Sequence, residues 1–183
     1  VHSASVIELD PTVPALLPRP TAPDEIRVAV QGTVNPTTVK PFIFPVQYGS
    51  VVLMDLTAAQ AMDAPASFPT VATTVSGQDI VIKGAAPFIT GHQYGLFITD
   101  NVRDAAGAPL VPSPVSVLLR LRSPLASGGH STISSVSDAD AIQLEMGRAG
   151  LVTLFDDKNF AMVTNVTRER LIYCFAFPFG GTP

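Results

Sequence analysis

Short runs of β-branched and aromatic residues, each cut within a few positions by Gly, Pro, Asn or Asp, recur along most of this 183-residue chain. The punctuation is dense, with 17 prolines and 13 glycines. Proline lacks the backbone N–H that helices and strand ladders need, and glycine loses the most conformational freedom on ordering. Long helices and all-parallel sheets are therefore disfavoured. Short antiparallel strands joined by turns are the architecture this rhythm allows.

The strands can be placed. In residues 25–31, Ile26, Val28 and Val30 alternate with more polar neighbours, the period of a half-buried strand. Residues 50–56 form a denser run suited to a central strand. Residues 70–75 and 79–82 read as a hairpin turned at Ser76-Gly77-Gln78. Further strands are expected over 93–99 and 115–121. Pro36 suits the first position of a helical turn over 35–39, and the alanine-rich stretch 58–66 suits a brief helix or a loop. About seven strands fit into the first ~122 residues, near the size of an immunoglobulin-like domain. The fold expected is mainly β: an immunoglobulin-like antiparallel β-sandwich over 25–122, preceded by a proline-rich extended arm over 1–24. In the remainder, 123–183, a Ser- and Gly-rich loop precedes a helix over about 138–149, N-capped by Ser137 with Asp138 and Asp140 in its first turn. A closing edge strand over about 170–178 packs on the sandwich or on a neighbour.

The chain is 46% hydrophobic but only 14% charged, against roughly 25% in a typical soluble domain. This composition excludes disorder. The net charge of −4 and the lack of a basic cluster argue against nucleic acid as a partner. No apolar run approaches the ~20 residues of a membrane helix, so no transmembrane segment is expected. Cys174 is the lone cysteine, so no disulfide framework can form within the chain. The opening Val1-His2-Ser3-Ala4-Ser5 has no initiator Met and no signal-like segment, and the end reads as the start of a linker. A piece processed from a larger precursor is expected.

Two stretches carry a resemblance. Residues 35–39 (NPTTV) followed by 50–56 (SVVLMDL) resemble the opening of bacterial Ig-like domains of surface-layer and secreted proteins. Residues 89–110, with Gln93-Tyr94 leading into Val102-Arg103-Asp104-Ala105-Ala106-Gly107-Ala108-Pro109-Leu110, resemble the ending of such domains. The continuation through Pro112-Ser113-Pro114, Ser123-Pro124-Leu125, a helix from Asp138 to Arg148 and a strand from Leu171 to Phe177 resembles the N-terminal region of secreted bacterial lipase-like proteins. The resemblance spans about residues 25–178 and implies an exported location. In those proteins an α/β-hydrolase domain follows, and none is present in this chain, so it transfers no catalytic residue.

Residue chemistry points the same way. No Gly-x-Ser-x-Gly pentad, no His-x-x-x-His and no phosphate-cradling glycine loop occurs, and no cofactor is expected. His130-Ser131, after Gly128-Gly129, is the best place for a triad to assemble in space, although a serine-glycine loop is the favoured reading. Asp100, Asn101 and Asp104 are calcium candidates, set against the simpler reading as turn residues. Asn165-Val166-Thr167 matches a glycosylation sequon, read as accidental. Cys174 reads as a buried structural thiol.

The apolar strand 171–177 is the most constraining segment after the strand rhythm. Left unpaired it would be an aggregation hazard, so it must pair with the sandwich's own edge or with another chain. Leu171, Ile172, Tyr173, Phe175 and Phe177 are therefore the candidate assembly residues. The function expected is a non-catalytic, secreted or cell-surface module with a structural, adhesive or self-assembly role. Its partner is itself or a neighbouring protein domain, in a homo-oligomer or polymer joined by strand exchange. The alternative is the accessory region of a secreted lipase or esterase.

Overall fold

The computed structural model describes residues 19–30, 32–61 and 66–180. Most of the expected proline-rich arm, 1–18, lies outside the described residues. In chain order the elements are β1 (Arg19–Ala22), β2 (Glu25–Ala29), β3 (Val51–Asp55), α1 (Leu56–Gln60), β4 (Val71–Ser76), β5 (Asp79–Gly84), β6 (Gln93–Thr99), α2 (Pro114–Leu119), β7 (Ala126–Ser127), β8 (His130–Ser131), α3 (Asp138–Phe155), α4 (Lys158–Thr164) and β9 (Leu171–Pro178). A short 3₁₀ turn, Pro36–Thr38, sits where the sequence places one, with Asn35 capping it.

The fold is mainly β, and its strand pairs are antiparallel. One sheet has the order β1-β2-β5-β4 and a second the order β3-β6-β9. They share one apolar core. Ile26 and Val28 of β2 and Ile80 and Ile82 of β5 meet Val51 and Leu53 of β3 and Leu96 and Ile98 of β6. Alternation explains this on β2, where those two residues are buried and their neighbours are half-buried. β3 and β6 are instead buried on both faces, because the opposite face of their sheet carries a helical layer. There Val52, Phe97, Leu171 and Cys174 pack with Leu119, Leu151, Phe155 and Phe160 of α2, α3 and α4. The structure is thus sheet, sheet, helices.

Two expectations change. Residues 115–121 were expected as a strand on their β-branched content, but most of them form α2. Ser113 accepts from the Ser116 N–H and Pro114 occupies the first helical turn. Val115 and Leu119, four apart, then point together into the helical-side core. Local strand propensity loses to capping and packing. The helix expected over about 138–149 runs on to Phe155, because Leu151 and Phe155 are buried and hold it past Gly147 and Gly150. A further helix, α4, capped by Asp157, follows it.

The hairpin turn between β4 and β5 falls at Gly77, whose φ of +61° suits glycine. Gly49 serves a different need. A Cβ there would lie 2.3 Å from the Phe42 nitrogen, so glycine lets the chain before β3 close on it.

Candidate functional site

Because the sequence points to a strand that must be covered, the outer edges of the two sheets form the candidate site. β9 pairs with β6 along its length, Phe97 opposite Cys174 and Tyr94 opposite Phe177, with an irregularity at Ile98/Thr99 that leaves Ile172 as the extra residue. Its far edge faces α2. The Cys174 N–H donates to Ser116 Oγ at 3.3 Å, and the Arg120 guanidinium donates to the Leu171 carbonyl. A helix therefore takes up groups that an added strand would use. Of the candidate assembly residues, Leu171, Ile172, Tyr173 and Phe177 are buried and Phe175 is half-buried, all within this chain's own cores.

Charged groups hold this seal in place. Arg168 is buried, donates to the Arg120 carbonyl, pairs with Asp156 at 3.0 Å and lies 5.1 Å over the Phe155 ring. Its Nε has no hydrogen-bond partner. Arg148 grips Glu145 through two nitrogens and donates to the Leu121 carbonyl just beyond α2, while Glu145 accepts from the Leu125 N–H. The Arg148 hydrogen bonds are the main reason the Glu145 carboxyl titrates below its usual range. Burial pushes the Cys174 thiol up to about 12, so at neutral pH it is neither a nucleophile nor a ready metal ligand.

The remaining edges differ. The outer side of β3 is covered by the chain before it: the Phe42 N–H donates to the Val51 carbonyl at 2.8 Å, and the Val51 N–H to the Lys40 carbonyl at 3.0 Å. β1 is a four-residue strand with Pro20 in it and an irregular register between Pro20 and Ala22, features that blunt an edge. β4 ends its sheet with no strand beyond it among the described residues. Its register fixes which groups face outward. The Ala85 N–H bonds the Thr70 carbonyl, while the Gly84 N–H turns away to Asp24. Alternation then directs the backbone of Ala72 and Thr74 to β5 and that of Val71, Thr73 and Val75 outward. Sequence reasoning missed this edge, because an edge is defined by strand order and not by composition.

The other candidates are taken up by local structure. Asp104 Oδ1 accepts from the Ala106 and Ala108 N–H groups at 2.9 and 2.8 Å, an Asx-type turn, and Asp100 pairs with Arg170 at 3.1 Å. Asn101 is exposed in the same turn. Among the described residues no three His, Cys, Asp or Glu side chains cluster as metal ligands. His130 Nδ1 lies 3.0 Å from Asp138, whose carboxyl is lowered first by the Ser131 N–H and then by His130. Two members of a triad thus meet, but the Ser131 hydroxyl donates to the Ile133 carbonyl at 2.8 Å instead of to His130. Leu121, Ser123, Pro124, Ser127, Thr132 and Ile133 line an open hollow of about 420 Å³, and neither His130 nor Ser131 is part of its lining. Asn165 of the sequon has φ +57° and caps α4 in the left-handed conformation, a structural use of Asn.

One pair was not anticipated. Asp55, 2% exposed, ends β3, caps α1 through the Thr57 and Ala58 N–H groups, and holds His92 Nδ1 at 2.8 Å. It ties the turn before β6 to the β3–α1 junction. An Asp followed by a helical stretch is an N-cap signature that could have revealed half of it. Among the described residues no helix is long and apolar enough to cross a membrane. The sequence matches no protein-family model. No curated protein matches it either.

Proposed function

We propose that this chain is a non-catalytic, exported Ig-like β-sandwich module that works by contact at the cell surface, in spacing, adhesion or assembly. The observation that carries this reading is where the reactive groups go. The Ser131 hydroxyl, the Asp104 carboxylate, the Asp100–Arg170 pair and the Cys174 thiol are each engaged in turns, ion pairs or core. Two antiparallel sheets of four and three strands sharing one core favour the Ig-like description. The resemblance of residues 25–178 to the leading region of secreted lipase-like proteins supports the exported location.

Two assays test the proposal. The purified chain, given short-chain nitrophenyl esters, should release no product above buffer. Turnover abolished by both Ser131→Ala and His130→Ala would overturn the non-catalytic reading. Protease applied to intact cells of the source organism should cleave the chain while a cytoplasmic marker stays whole, and full protection of the chain would overturn the surface location.

A further inference from the structure

We infer that the open edge of β4 pairs antiparallel with the same edge of a second copy of this chain, about a two-fold axis through Thr73. The inference rests on the contact-based role proposed above and names its partner.

Three observations carry it. First, among the described residues the other outer edges are closed: β9 by α2, β3 by residues 40–42, and β1 by its brevity, proline and irregular register. On β4 the Thr73 hydroxyl donates to the Val39 carbonyl at 2.9 Å, but no outward backbone group of residues 71, 73 and 75 has a partner among the described residues. Second, β4 has no charge. Edge strands are normally protected by lysine, proline or inward-pointing charge, and Val71-Ala72-Thr73-Thr74-Val75-Ser76 has neither charge nor proline. The charges of its neighbours β2 and β5 close on themselves, Arg27 with Glu25 and Asp79, and Lys83 with Asp24 from the turn before β2. Third, the edge is complementary to itself. Pairing through the outward groups of residues 71, 73 and 75 with the axis at Thr73 sets Thr73 opposite its copy, Val71 opposite Val75 and Ala72 opposite Thr74. The β-branched side chains at 71, 73 and 75 suit such a pairing, because they pack well against cross-strand neighbours on a pleated surface.

The same geometry argues for a second copy over a charged peptide, which would find no counter-charge on β4. The result would be one continuous sheet, β1-β2-β5-β4 followed by its inverted copy. Six residues a side make a small interface, so the dimer is concentration-dependent and not obligate.

The test is sedimentation velocity of the intact chain from about 10 μM to about 1 mM, the range over which weak association is read. The weight-average mass should climb from one chain toward two. Two double variants at exposed positions then probe the register. Ala72→Lys with Thr74→Lys places like charges opposite each other twice across the axis and should stay monomeric throughout. Ala72→Lys with Thr74→Glu places opposite charges there and should dimerise at least as well as the original chain. Circular dichroism melts confirm that both fold. A monomer at every concentration, or a dimer indifferent to the two lysines, overturns the inference, and loss of dimer in both variants overturns the Thr73 register. The readout is mass and not turnover or surface exposure, so this inference and the proposed function can fail separately.

Discussion

β9 and β4 are both outermost strands, both uncharged and both rich in β-branched or aromatic residues, yet they face opposite situations. β9 is the more apolar of the two and would be the greater hazard if bare. It is also the one the fold covers, with β6 on one side, α2 on the other and helices over one face. β4 is half-polar, with Ala72, Thr74 and Ser76 exposed, and the outward backbone of the half-buried Thr73 and Val75 has no partner among the described residues. The lesson concerns cost. An uncovered edge of Leu, Ile, Tyr and Phe endangers solubility, whereas a Thr-rich edge can remain open and stay available for a reversible contact.

The largest effect that sharpens the contrast comes from truncating the covered strand. Leu171→Ala removes a fully buried side chain from the helical-side core and should cost about 3 kcal/mol of unfolding free energy in a urea melt. Thr74→Lys on β4 should stay within about 0.5 kcal/mol in the same melt, because the residue is exposed. Equal costs would erase the distinction between the strands.

Next in size is the seal itself. Ser116→Ala removes the acceptor for the buried Cys174 N–H and should cost about 1–2 kcal/mol. Cys174 reports on it directly. Its thiol is buried and pushed up to about 12, so a thiol reagent at neutral pH reacts after the α2 cover opens. If that opening becomes about 1.4 kcal/mol easier, labelling should speed up roughly tenfold in Ser116→Ala. An unchanged rate would mean that α2 is not what covers the strand.

A smaller effect lies one layer out. Arg148 holds Glu145 below its ordinary value of 4.5, and the pair fastens residues 121–125 beyond α2. For a carboxyl lowered in the folded state, the stabilisation is present above the unfolded pKa and is lost as the pH falls through the folded one. Glu145→Gln should therefore cost about 1 kcal/mol at pH 7, with the gap to the original chain closing as the pH drops below about 4.5. A gap that stays constant down to acid pH would show that the charge contributes nothing.

Much of the sheet was legible because its signal is local. The alternation of Ile26 and Val28, the Ser76–Asp79 turn and the dense run at 51–55 need no knowledge of the rest of the chain. α2 was not legible because Val115 and Val117 carry strand propensity, while the deciding Ser113-Pro114 cap lies just ahead of that run. The cover on β9 was not legible. It depends on Ser116 reaching a residue 58 positions away, a contact that no window of sequence contains. The open edge of β4 was hidden for a related reason: the strand looks like any half of a hairpin until the order β1-β2-β5-β4 is known. The apolar surplus pointed correctly to 171–177 as a strand needing cover, but it could not say that the same chain supplies that cover.

Amide hydrogen exchange followed residue by residue, at about 20 μM and again near 1 mM, tests the contrast most directly. The account predicts that the Cys174 amide is protected equally at both concentrations. The amides of the half-buried Thr73 and Val75 should exchange far faster in dilute solution and slow down as the chain is concentrated. β4 amides as protected as Cys174 at the low concentration, or a Cys174 amide that exchanges as fast as theirs, would contradict it.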